Sequence, residues 1–224
     1  MNNREFKDHI YAHFSRIGKA LASPTRLEIL DLLCQGERTV EVLANQAHQT
    51  LANVSQHLKI LKSAQLVKSS RNGNFITYQL ANESVGLFWK ALQHTGDVCL
   101  TEIRHVSKDF FSHTEELEAV TGKELLRRAQ SGELILIDVR PLEEYNAGHI
   151  KGAISIPLDK LENELGGLKK NKLIVAYCRG PYCVLSKEAV HLLRKKGYKA
   201  YRLLDSVQDW KAKKLPIDVT KKAA

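Results

Sequence analysis

The sequence predicts two domains: a mainly-α domain with a helix-turn-helix and a two-stranded hairpin, then an α/β domain whose parallel sheet carries helices on both faces. Three observations predict this. In the first part, apolar residues recur at helical steps of three and four. An Asn72-Gly73 pair, both members tolerant of positive φ, separates two strand-like runs, Leu66 to Arg71 and Asn74 to Leu80. From about Ser112 onward, short unbroken apolar runs alternate with helical segments, the pattern of strands covered on both faces. The expected domains are residues 1–112 and 113–224, with the polar, acidic stretch 113–118 as linker.

Taken in order, Phe6, Ile10, Phe14, Ile17 and Leu21 share one face of a first helix. Ser23-Pro24 restarts the chain with a capping hydroxyl and proline at the first helical position. Leu27, Ile29, Leu30, Leu32 and Leu33 make a second helix that stops at Gly36. Thr39 opens a short third helix, Val40 to Gln46, and a polar turn leads to a fourth, Leu51 to Ala64, with Val54, Leu58 and Leu61 inward. After the hairpin, Asn82 caps a long helix that runs to Phe110, with Gly96 as its candidate break. Thr121 to Gln130 is a capped helix. Strands are expected at Leu134–Val139, Ala153–Ile156, Lys172–Tyr177 and Lys199–Leu204, and helices near Leu158–Leu165 and Leu185–Lys196.

A chain of 224 residues with 43% hydrophobic and 26% charged content can bury two modest cores. It has no apolar run long enough to span a bilayer and no apolar leader, which points to the cytoplasm. In that reducing compartment its four cysteines, Cys34, Cys99, Cys178 and Cys183, read as chemical rather than structural. The net charge of +9 suggests an acidic partner without locating it, because residues 1–110 hold 13 Lys and Arg against 10 Asp and Glu. Distribution is more informative: Val42 to Asn82 contains no acidic residue but holds Lys59, Lys62, Lys68 and Arg71. Such a face does not repel phosphates.

A DNA-reading helix must present hydrogen-bonding side chains to base edges while a partner helix holds it. Thr50, Asn53, Ser55, Gln56 and His57 offer these at the front of the fourth helix, and Lys59 and Arg71 can meet phosphate or the minor groove. The segments LASPTRLEILDLL and VSQHLKILKSAQLVKSSRNGNFITYQL, within residues 15–82, resemble the ArsR family of winged helix-turn-helix repressors. The resemblance implies a homodimer, with the first and last helices at its interface, on double-stranded DNA carrying an inverted repeat. Metal-sensing members often carry a Cys-x-Cys site in the third helix, where this chain reads TVEVLANQA. His94, Asp97 and His105 match the family's second metal site poorly, so no metal and no cofactor is expected. Cys34 and Cys99 look instead like the cysteine pair of persulfide-sensing members, or else they are two small buried hydrophobes.

The loop Tyr177 to Val184 follows an apolar run and precedes a helix. Successive amides in a tight loop and a helix N-terminus stabilise an anion there, which lowers the pKa of Cys178 and makes it a nucleophile. The expectation is a thiolate that solvent can reach. Around this loop, IDVRPLEEYNAGHIKGAISIPL and IVAYCRGPYCV resemble the rhodanese family of sulfurtransferases over about residues 117–216. The resemblance implies a persulfide on Cys178, a cradle from Arg179, Gly180, Pro181, Tyr182, Cys183 and Val184, and support from Asp138 and Arg140. His149 reads as a hydrogen-bonded structural residue. Val184 stands where phosphatase relatives need arginine, and the loop end lacks the basic residue common in thiosulfate-using members. Cys183 either resolves a persulfide on Cys178 or packs the loop.

Together these features lead to a DNA-binding repressor that responds to reactive sulfur, with a sulfur donor or acceptor as further partner. Two alternatives stay open. One is a sulfurtransferase whose winged-helix half serves dimerisation. The other is a metal-responsive repressor with a non-catalytic rhodanese domain.

Overall fold

The computed structural model describes residues 1–73, 75–112 and 121–220. They form two compact units, Met1–Leu92 and Gln93–Ala224. The division falls ahead of the expected linker, 113–118, which lies outside the described residues. Among the described residues no helix is long and apolar enough to cross a membrane.

The first unit opens with α1 (Asn3–Leu21) and α2 (Pro24–Cys34). A capping box between Asn2 and Glu5 starts α1. Ser23 occupies the N-cap of α2 but makes no side-chain capping bond, so Pro24 alone carries the expected start signal. A two-residue strand β1 (Arg38–Thr39) leads into α3 (Val40–Gln46), then α4 (Leu51–Ser63). Thr39 and Thr50 cap α3 and α4, accepting from the amides of Val42 and Asn53. The hairpin is β2 (Val67–Asn72) and β3 (Phe75–Leu80).

Two expectations about the wing need correction. The sheet has three strands, in the order β1-β3-β2, because Arg38 and Thr39 pair with Tyr78 and Thr77. Two residues are too few to show a strand period in sequence. The turn is shifted by one residue. Asn72 pairs with Phe75 at the end of the ladder, and Gly73, at a φ of 60°, supplies the left-handed turn conformation.

Ile29, Leu30, Leu33, Leu43, Val54, Leu58 and Leu61 form the core of this unit. On α1 only Ala20 and Leu21 are buried, whereas Phe6, Ile10 and Phe14 of the predicted apolar stripe are exposed. Helix α5 (Glu83–Cys99) follows, then α6 (Thr101–Phe111). The predicted single helix therefore breaks at Leu100, not Gly96. Leu100 leaves helical backbone angles, and Arg104 covers the freed carbonyls of Asp97 and Val98. A side chain at Gly96 would press on Ile103, so this glycine permits the close return of α6.

The second unit continues with α7 (Gly122–Gln130), β4 (Leu134–Asp138), α8 (Leu142–Ala147), β5 (His149–Ile150), β6 (Ile154–Ser155) and α9 (Leu158–Glu164). It ends with β7 (Leu173–Tyr177), α10 (Val184–Lys195), β8 (Ala200–Arg202), α11 (Val207–Ala212) and β9 (Ile217–Asp218). The four expected strands form one parallel sheet in the order β6-β4-β7-β8. Successive residues of β7 face opposite sides. Ile174, Ala176 and, just beyond the strand, Cys178 join the core under α9 and α10, whereas Val175 and Tyr177 join that under α7 and α11. A separate antiparallel pair, β5 with β9, is too short to have been visible in the sequence.

Candidate functional site

Cys178 follows the last residue of β7, and α10 begins six positions later, so the loop lies at the carboxyl end of a central parallel strand. Ligands in open α/β sheets gather at that edge. The chain curls at Gly180, whose φ of 127° favours glycine, and the Cys183 amide donates to the Gly180 carbonyl at 3.1 Å. This turn folds residue 183 back over Cys178.

The Cys178 thiol is only 1% exposed. The expectation of a solvent-reachable sulfur is therefore corrected: the loop and the first turn of α10 close over it. Its surroundings are nevertheless donor-rich. The Ser186 hydroxyl lies 3.1 Å from Sγ, and the Cys183 carbonyl lies 3.6 Å away, positioned to accept from the thiol. Burial opposes ionisation, but the bonds to Cys183, the Ser186 hydroxyl and the amides of Ser186 and Gly180 outweigh it, bringing Cys178 down to about 7. The neighbouring Cys183 thiol moves the opposite way, raised by its hydrogen bond to Cys178 and by burial.

The expected cradle is thus partly redrawn. Gly180 points its amide at Sγ, but the Cys183 amide is taken by the turn, and the further donors come from Ser186, beyond the predicted window. Tyr182 and Val184 are exposed and Pro181 is half-buried. Ser186 falls in the first helical turn, and a hydroxyl there was the one available signal.

The loop is anchored through buried charge. Arg140 grips both Asp138 oxygens, with Nη2 at 2.6 Å from Oδ2, and donates to the Gly148 carbonyl. Arg179 grips the fully buried Glu144 at 2.6 Å, and Arg140 lies 4.0 Å from the same carboxylate. Arg140 also lies over the Tyr177 ring at the base of the loop, 5.7 Å from its centroid, while the loop's own Arg179 is held by Glu144, which sequence reasoning missed because α8 was not predicted. Arg202 donates to the Pro181 carbonyl and holds the other side of the loop. His149 is buried, bonds the Tyr145 carbonyl at 2.9 Å and stacks on the Tyr145 ring, a structural placement.

In the first unit, α4 turns Val54, Leu58 and Leu61 into the core and leaves Gln56 and Lys59 exposed. Thr50 is committed to the cap, and Asn53 donates to Gln49 at 2.6 Å. Ser55 is half-buried. His57 is drawn toward the core: its Nδ1 sits 3.4 Å from the buried Arg26 guanidinium, and burial and that charge lower its pKa. Arg71 is exposed and bonds the Gly73 carbonyl, while Lys62 ties α4 to the wing through Ser69.

Cys34 is buried at the end of α2, and its sulfur lies 4.0 Å from the point where a side chain on Gly86 would begin. Cys99 is exposed at the end of α5. Among the described residues no group of three or more His, Cys, Asp and Glu side chains could hold a metal. Asp97 instead accepts from the Tyr182 hydroxyl.

Comparison with known proteins matches both halves. Residues 23–69 match the family described as bacterial regulatory protein, arsR family, and residues 121–213 match the rhodanese-like domain. The HTH-type transcriptional regulator Rv0324 of Mycobacterium tuberculosis is 44% identical over 204 residues, covering 91% of this chain and 89% of that protein. The chain is an ArsR-family regulator with a rhodanese-like domain. Within the regulator half, the transcriptional repressor SdpR of Bacillus subtilis is 39% identical over 66 residues, 30% of this chain and 73% of its own. A solved homodimeric winged helix-turn-helix DNA-binding domain of Mycobacterium bovis is 39% identical, covers 45% of this chain and 91% of its own, and aligns with a TM-score of 0.42. By its family matches, the regulator pairs an ArsR-type DNA-binding domain with a rhodanese-like domain.

Proposed function

We propose that this ArsR-family regulator is a cytoplasmic repressor that binds an inverted repeat as a homodimer and releases it when Cys178 takes up sulfur. The observation that carries the sulfur reading is the Cys178 thiol itself, enclosed by the Ser186 hydroxyl and the amides of Gly180 and Ser186. A thiolate so held attacks the outer sulfur of a hydropersulfide donor and becomes a persulfide, while the donor leaves as a thiolate. Because the thiol is buried, the turn from Gly180 to Cys183 must move aside to admit that donor.

Dimerisation is supported by the exposed apolar face of the first unit, with Phe6, Tyr11 and Phe14 on α1 and Leu87 and Phe88 on α5. DNA reading falls to the exposed front of α4, in a stretch without carboxylates. Sulfur taken up at Cys178 passes to the exposed Cys99 or the buried Cys34, or acts from the loop directly.

Operator binding should be titrated with glutathione persulfide in wild type and in Cys34→Ser, Cys99→Ser and Cys178→Ser. The proposal expects Cys178→Ser to hold DNA through concentrations that release wild type. Equal release in all four chains would end it.

A further inference from the structure

The geometry points to Cys183 as a catalytic residue that resolves a persulfide on Cys178, turning the loop into a device that discharges sulfur as hydrosulfide. This rests on the reading of Cys178 as the sulfur acceptor.

Four observations converge. The turn closed by the Cys183 amide on the Gly180 carbonyl at 3.1 Å returns residue 183 to the cysteine it follows by five positions. The Cys178 sulfur lies 3.6 Å from the Cys183 carbonyl, and the two thiols are within hydrogen-bond reach of each other. Cys178 is buried while Cys183 is half-buried, so residue 183 forms part of what covers the nucleophile. The amides of Arg179 and Leu185 face the Cys183 sulfur, giving it donors of its own.

The chemistry balances without an outside oxidant. With Cys178 as a persulfide anion, the Cys183 sulfur attacks Cys178 Sγ as its proton passes to the outer sulfur. A bond forms between the two cysteine sulfurs. The bond from Cys178 to the outer sulfur breaks, and hydrosulfide departs with the electron pair and the proton. The transferred sulfur is reduced, the cysteine pair is oxidised to a disulfide, and charge is conserved. A thiol reductant of the glutathione class returns the pair to its starting state.

This outcome differs in kind from storage of sulfur on a single cysteine. The full chain, as wild type, Cys183→Ser and Cys183→Ala, should be exposed anaerobically to glutathione persulfide and freed of excess. It should then be analysed by intact mass and peptide mapping without reductant, with released hydrosulfide measured in parallel. The inference expects wild type to lose two hydrogens, to yield a linked Cys178–Cys183 peptide and to release hydrosulfide. Both variants should gain the mass of one sulfur on Cys178 and release none. If wild type retains sulfur on Cys178 as long as the variants do, Cys183 is a packing residue. If no chain gains sulfur or forms the link, the acceptor reading fails as well, and the variants reveal which has failed.

Discussion

Replacing Ser186 with alanine removes one donor from the Cys178 sulfur and leaves the amide at that position in place. Ser186 is fully buried, and its hydroxyl lies 3.1 Å from Sγ. A hydrogen bond to a charged group is worth about 1.5–3 kcal/mol, and one pKa unit corresponds to about 1.4 kcal/mol. Cys178 should therefore rise from about 7 by roughly one to two units. At pH 7 the thiolate fraction then falls from about a half to between about a tenth and a hundredth. The more basic thiolate is intrinsically more reactive, with a Brønsted slope of about 0.4–0.5, which restores about threefold to eightfold. The net rate at Cys178 should drop about twofold to sixfold at pH 7 and exceed wild type on the alkaline plateau, so the two pH–rate profiles cross. The assay is iodoacetamide labelling across pH with Cys178 read by peptide mass, which leaves Cys183 in place. An unmoved titration midpoint would refute the assignment of Ser186 as a donor to the thiolate.

Other consequences follow from the same contacts. Glu144→Ala takes the close carboxylate from the Arg179 guanidinium while Arg140 keeps Asp138, and urea unfolding should show a loss of about 3–5 kcal/mol in the rhodanese-like half. A loss within experimental error would mean that water takes the place of the carboxylate. Leu58→Ala in the fully buried centre of the first core should cost about 2–5 kcal/mol by the same measurement. Lys59→Ala should weaken DNA binding similarly on all sequences and flatten the salt dependence by about one counterion. An unchanged slope would place Lys59 away from phosphate.

Much of this was legible in the sequence where a period or a turn residue had room to repeat. The stretch Val40–Gln46, the inward triad Val54, Leu58 and Leu61, and the four parallel strands all emerge from apolar spacing. Illegible features were short or long-range. β1 and the β5–β9 pair are two-residue strands, and their pairing depends on partners far along the chain. Phe6, Ile10 and Phe14 show that an apolar stripe marks a face to be covered without saying whether this chain covers it. At the sulfur loop, residue types and spacing pointed to Cys178 as the reactive thiol, but not to its enclosure. Enclosure depends on which way the Gly180 turn folds. Glu144 escaped notice because a carboxylate in a charged run reads as solvated, yet two arginines converge on it from separate segments.

Under the proposed function, sulfur arriving at Cys178 changes the hold on DNA. One sample treated with graded glutathione persulfide should be divided between peptide mass mapping and a DNA shift assay. The fraction of chains altered at Cys178, as a persulfide or as its link to Cys183, should track the fraction released from DNA. Full release with Cys178 unaltered, or full alteration with DNA still bound, would contradict it.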